Sequence, residues 1–195
     1  ILDFMGHNYS TDQMILASIG DISFKEFEKL AMTYFGNQPA HLVSRKRETF
    51  KGYVPESRTE TRNNHLSHCM IGGIAPEFSS PLRMPIVMLN NVLGGPDMSS
   101  RLGLNIREKY GFAYSIESQY TAYSDVGLIN VYMGVDPDSL EKAIELVHKE
   151  LEKLCTQKLG TLQLHHAKQQ LIGQVALSYE SGMNELLSAT RSLIM

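Results

Sequence analysis

The chain has 195 residues, 43% of them hydrophobic and 20% charged, the composition of a folded protein with material for one sizeable core. Its net charge of −3, from 18 basic and 21 acidic residues, sets up no field that would gather nucleic acid or an anionic membrane, so neither is expected as a partner. No apolar run approaches the roughly 18 residues of a bilayer span and the N-terminus lacks a signal-peptide pattern, while Cys69 and Cys155 match no zinc spacing and read as buried thiols, with a lean towards a cytoplasmic setting.

In chain order, Met14–Ile19 is a short apolar run ended by Gly20-Asp21, the pattern of a buried strand and its turn. Ser23 and Glu26 form a capping box for a helix whose apolar positions run from Phe24 to Tyr34 and which Gly36 ends. From residue 37 to 64 the periodicity dissolves into a linker or extended segment, and its basic cluster Arg45, Lys46, Arg47 and Lys51, interrupted by Glu48, reads as a solvated face. A strand over 65–74 follows, then a helix started by Ser80-Pro81 that carries Pro85 in its first turn. Gly94-Gly95-Pro96-Asp97 breaks the chain sharply. Ser99 or Ser100 then caps a short helix through Ile106 that stops at Gly111.

Residues 112–123 and 128–135 read as an antiparallel hairpin. Asp136-Pro137 opens a helix with the stripe Leu140, Ala143, Ile144, Val147, Leu151 and Leu154, and Thr161 caps a last long helix running through Val175 and onward. This order gives an α+β fold, an antiparallel sheet with helices packed on one face. Three parts are expected: a closing strand–helix unit of a preceding domain (1–36), the linker (37–64) and a second domain (65–195) truncated at its C-terminus. The ends at Ile1 and Met195 suggest a piece cut from something longer.

The seven histidines do not make a metal site. His65 and His68 are three apart on a strand, hence on opposite faces, and His165 and His166 are neighbours about 100° apart on a helix. No His-Glu-x-x-His or His-x-x-Glu-His occurs, and no Gly-x-Ser-x-Gly elbow. The segment 94–100 lacks the Gly-Lys-Ser/Thr of a phosphate loop, and its glycines serve to turn the chain between two helices.

The informative stretch is Leu93-Gly94-Gly95 with Ser99-Ser100-Arg101-Leu102, then Ile106-Arg107-Glu108-Lys109 and Gly111-Phe112-Ala113-Tyr114. It resembles the second half of pitrilysin/insulinase-type zinc peptidases, the superfamily that includes the mitochondrial processing peptidase. The flanks agree: Asn8 to Asp21 with the helix ending at Gly36 resembles the close of the family's catalytic domain, and Ala167–Leu171 with Gly173 and Glu180-Ser181 resembles a late helix of the next one.

The resemblance implies duplicated α+β domains, an inverted zinc motif in the preceding domain, and a metal-free second domain closing over a peptide. No cofactor is then expected in this segment and zinc is expected in the parent. The segment alone should be inactive, with no catalytic residue of its own. The partners implied are a peptide substrate and a preceding catalytic domain or sister subunit, with a homodimer also open. The resemblance places Arg107 and Tyr114 in a substrate-binding role, the guanidinium gripping a peptide carbonyl and the phenol donating to the oxyanion of the hydrolytic step. The alternative is a surface ion pair for Arg107 and a core position for Tyr114. At the level of the whole protein the alternative is a non-catalytic scaffold or partner subunit. If the domains are related copies, Met14–Gly36 could also supply the strand and helix that would follow Met195.

Overall fold

The computed structural model describes residues 1–43 and 48–194, so Arg45, Lys46 and Arg47 of the basic cluster lie outside the described residues. The regular elements are α1 (Leu2–Asn8), α2 (Phe24–Phe35), β1 (Ser67–Ala75), α3 (Arg83–Gly94), β2 (Ala113–Ala122), β3 (Gly127–Val135), α4 (Leu140–Thr156), α5 (Thr161–Ser178) and α6 (Gly182–Ile194), with a π-helical turn at Gly103–Glu108. They fall into two units, one of Thr49–Ile172 and one of Ile1–Glu48 with Gly173–Met195.

In the unit of Thr49–Ile172, β3 lies between β1 and β2 and pairs antiparallel with both. Alternation decides the faces, because successive side chains of a strand point to opposite sides. Val131, Met133 and Val135 of β3 and Ile116 of β2 turn inward and are buried. His68, Met70, Gly72 and Ile74 of β1 turn to the exposed face. The inner face is covered by the stripe foreseen on α4, with Ala143 and Val147 fully buried, and by Leu93 of α3. This is the α+β arrangement that the pattern of elements implied.

α3 approaches β2 closely. The Ser118 hydroxyl donates to the Asn90 carbonyl at 2.9 Å, and a Cβ on Gly94 would stand 2.7 Å from the Ser118 nitrogen and 2.9 Å from Leu102 Cδ1. Pro85 is tolerated as the third residue of α3 because the first four amides of a helix have no internal acceptor. Past the glycine corner, Asp97 Oδ1 accepts the Ser99 amide at 2.8 Å and the Ser100 hydroxyl accepts the Gly103 amide at 3.3 Å. Ser100 is thus the cap, while Ser99 is itself held by Asp97. The bond from the Ser99 amide, then that from its hydroxyl, keeps the Asp97 carboxyl below its ordinary value.

The unit of residues 1–48 and 173–195 differs from the sequence reading. Met14–Ile19 is extended but pairs with no strand, and its Met14, Ile15, Leu16 and Ile19 are 42 to 57% exposed. A buried strand needs a neighbour to supply ladder bonds and cover; among the described residues none does. The preceding residues form the unforeseen α1, and His41 returns to them, its amide donating to the Thr11 hydroxyl at 3.0 Å and its carbonyl accepting the Thr11 amide at 2.9 Å. The helix from Thr161 does not run on. It breaks at 179–181 into α5 and α6. Its N-cap is Gly160, whose amide donates to Gln163 Oε1 at 3.1 Å, and Thr161 is the first helical residue.

Two outcomes check this account. Gly94→Ala is expected to lower unfolding stability by about 1 to 3 kcal/mol through overpacking, whereas Gly173→Ala, with open space around its Cβ site in α5, should gain about 0.5 to 1 kcal/mol; urea titration of both variants measures the contrast. Because the folded carboxyl of Asp97 titrates below its unfolded value, its contribution is complete above the ordinary carboxylate range and fades as pH falls through the depressed one. The melting-temperature gap between wild type and Asp97→Asn should therefore be widest near neutrality and close in acid.

Candidate functional site

Arg107 and Tyr114 are each placed by a buried neighbour. Ile106 is fully buried and anchors the π-helical turn in the core. The next residue, Arg107, is turned outward, its side chain 31% exposed. Ala113 is 5% exposed at the start of β2, and the next residue, Tyr114, is 67% exposed. In each case the chain plugs one side chain into the core and presents the following one.

The backbone between them makes this possible. The Lys109 amide bonds the Leu104 carbonyl at 3.0 Å, the five-residue spacing of a π turn, a geometry that recurs at functional sites because it re-aims side chains without ending the helix. Gly111 then takes φ +66 and its amide closes on the Arg107 carbonyl at 3.0 Å. Only glycine adopts this left-handed conformation without strain, and it ends the helix so that β2 can start at once. At that start Ala113 pairs with Val135 but Ser115 pairs with Gly134, leaving Tyr114 as the extra residue of a β-bulge. A bulge of this kind redirects the side chain it carries.

The Arg107 guanidinium is lightly held. Its Nε donates to Glu108 Oε1 at 3.0 Å, and Glu108 is half exposed. Such exposed pairs are worth little, roughly 0 to 1 kcal/mol, so the guanidinium can exchange this carboxylate for another acceptor. Of the alternative, Arg107 does have the surface ion pair, whereas Tyr114 is not a core residue. On the exposed face of the sheet, His68 Nδ1 and the Tyr132 hydroxyl are hydrogen-bonded at 2.8 Å with their rings stacked, and a Cβ on Gly134 would stand 2.9 Å from the Ser115 hydroxyl.

The family resemblance implies zinc in a preceding domain, not in this segment. Among the described residues no group of three or more His, Cys, Asp or Glu side chains is placed to hold a metal ion. His68, the strand histidine, already shares its Nδ1 with Tyr132, and the His165 and His166 rings are tilted with centroids 6.1 Å apart. Cys69 faces the core side of β1, and desolvation there pushes its thiol up, away from the thiolate a metal needs.

The sequence reading missed Glu150. Its side chain is only 6% exposed on α4, with Lys153 Nζ at 2.6 Å and Arg101 Nη1 at 4.0 Å. It falls at the edge of the apolar stripe, and the short spacing to Lys153 was the only local sign that it is paired.

Comparison with known proteins agrees with this architecture. The family model described as "Peptidase M16 inactive domain" matches residues 1–171. An uncharacterized zinc protease, YmxG, of Bacillus subtilis is 30% identical over 192 residues, covering 94% of this chain and 46% of that protein. The beta subunit of the bovine mitochondrial-processing peptidase is 25% identical over 173 residues, covering 80% of this chain and 34% of the relative. The chain thus spans less than half the length of these relatives. Among solved structures, a conserved protein from Enterococcus faecalis aligns with TM-score 0.69 at 19% identity over 90% of this chain and 41% of its own. The M16 inactive domain of Pseudomonas fluorescens aligns with TM-score 0.62 at 21% identity over 80% of this chain and 38% of its own, and both likenesses establish the fold. With the family match running from Ile1 through most of α5, the chain belongs to the peptidase M16 family, as one of its non-catalytic, inactive domains.

Proposed function

We propose that this chain is the substrate-gripping, metal-free part of a zinc-dependent peptidase, with the metal and the hydrolytic water supplied by a preceding domain or a sister subunit. The observation that carries the reading is the pair of outward residues, Arg107 and Tyr114, each fixed by a sealed neighbour and separated by the Gly111 turn. A guanidinium is a permanent cation with a planar set of donors and grips a peptide carbonyl without changing protonation state. A phenol can donate one hydrogen bond to an oxygen on which charge develops. Donors of this kind, fixed in advance, contribute most when the charge appears. The substrate class is an extended polypeptide, since both groups recognise backbone oxygens.

A second reading is a scaffold that holds a catalytic sister chain and does not touch substrate. The relatives favour keeping it, because they include the alpha subunit of the human mitochondrial-processing peptidase, 24% identical over 203 residues, alongside beta subunits.

In the assembled peptidase, Arg107→Ala and Tyr114→Phe are each expected to lower kcat/KM for an unstructured, internally quenched peptide by roughly a hundredfold to a thousandfold. Folding stability should stay within about 0.5 kcal/mol of wild type, since neither side chain is buried. Turnover unchanged in both variants, with the assembly intact, selects the scaffold reading.

A further inference from the structure

Glu150 is a buried acidic side chain on α4, 4.0 Å from Arg101 at the start of the segment that leads to Arg107. Its neighbours along the same face of α4, Ala143, Val147 and Leu151, are apolar. A leucine or methionine there would fill the space without desolvating a charge, and buried ion pairs are frequently no more stabilising than apolar replacements. The carboxylate has two cationic neighbours of different kinds. Lys153 is one helical turn away on the same helix, with its side chain 43% exposed, and only neutralises. Arg101 comes from another element, with its side chain 23% exposed, and opens the helical segment that becomes the π turn.

The turn is therefore held at three places. Leu102 and Ile106, both fully buried, fix its depth. Two apolar plugs resist withdrawal but set rotation about the turn axis only through shape, because dispersion contacts have little directional preference. The Arg101–Glu150 pair, at 4.0 Å, adds an electrostatic attraction between the start of this segment and α4. Gly103 lets the turn fold tightly: a Cβ there would stand 2.9 Å from the Ser100 hydroxyl and 3.7 Å from Arg107 Nη2. The Arg107 guanidinium thus lies over the turn.

We infer that Glu150, acting through Arg101, is a positioning residue that sets the orientation of the π turn at Gly103–Glu108 and hence the aim of the Arg107 guanidinium. The inference rests on the proposed gripping role of Arg107 and names a regulator of that same site. Its physical part, the ordering of the turn, stands apart from whether substrate is gripped.

Three measurements test it. In Glu150→Gln, amide hydrogen exchange over Gly103–Tyr110 should speed up at least about tenfold, with β1, β2 and β3 unchanged; unchanged exchange over the turn overturns the inference whatever Arg107 does. The double variant Arg101→Met with Glu150→Met should melt within a few degrees of wild type, as apolar replacement of a buried pair commonly does. Its kcat/KM on the internally quenched peptide should nevertheless stay about tenfold to a hundredfold below wild type, the scale of loss for a slightly misplaced group. Recovery of turnover together with stability would mean a structural role only, and overturns it. Should the double variant fail to fold, Arg101→Lys keeps the charge and removes the planar fork, and the same loss of turnover at normal melting temperature is required. Finally, Arg107→Ala added to Glu150→Gln should cost clearly less than Arg107→Ala alone, since both act on one grip. If Arg107→Ala alone changes nothing while the exchange result holds, the gripping reading fails and the ordering of the turn does not.

Discussion

The structure of residues 49–172 depends on the insertion of Leu102 and Ile106 into the layer between α4 and the sheet. Both side chains are fully buried against a core shared with Val147, Met133 and Val135. Interiors packed to crystal-like density have discrete solutions, so two anchored side chains four residues apart fix the helical turn that carries them. From that turn follow the outward direction of Arg107, the position of Gly111 and the point at which β2 begins. The close seat of α3 on β2 is the same constraint seen from the other side, because Leu102 Cδ1 occupies the space that a side chain on Gly94 would need.

Charge enters this apolar layer once among its buried residues, at Glu150. A buried carboxylate is strongly penalised unless its partners are close, and the two available cations differ in where they come from. Lys153 makes the short bond and belongs to the same helix, so it neutralises without linking elements. Arg101, farther off, links α4 to the segment before the π turn. The division of labour explains why an ion pair occupies a place where oil would pack as well.

The other unit has a different physical character. None of the apolar side chains described in residues 1–48 and 173–194 is buried; Ser10 alone reaches that state. The amphipathic α2 and α6 line one apolar groove, with Phe27 from one and Leu186 from the other among its walls. Hydrogen bonds between the His41 strand-like segment and Ser10 and Thr11 order the backbone there, but such bonds contribute little net stability beside apolar burial.

Element types were legible in the sequence because each depends on local periodicity: the stripe of α4, the alternation of β3 and the break at Gly111. What depended on neighbours distant in sequence was not legible. Met14–Ile19 has the composition of a buried strand, yet being a strand requires a partner, and composition does not say whether one is present. The π turn and the bulge at Tyr114 arise because Ile106 and Ala113 must both reach the core across a fixed gap, a tertiary demand that inserts a residue wherever the register needs it. Glu150 reads as a solvated glutamate on a helix edge until the fold brings Arg101 over it. The sequence by itself determined which faces are apolar and where the helices and strands around the sheet fall; the tertiary structure decided how Arg107, Tyr114 and Glu150 are placed, because placement is set by packing against parts of the chain that no local pattern names.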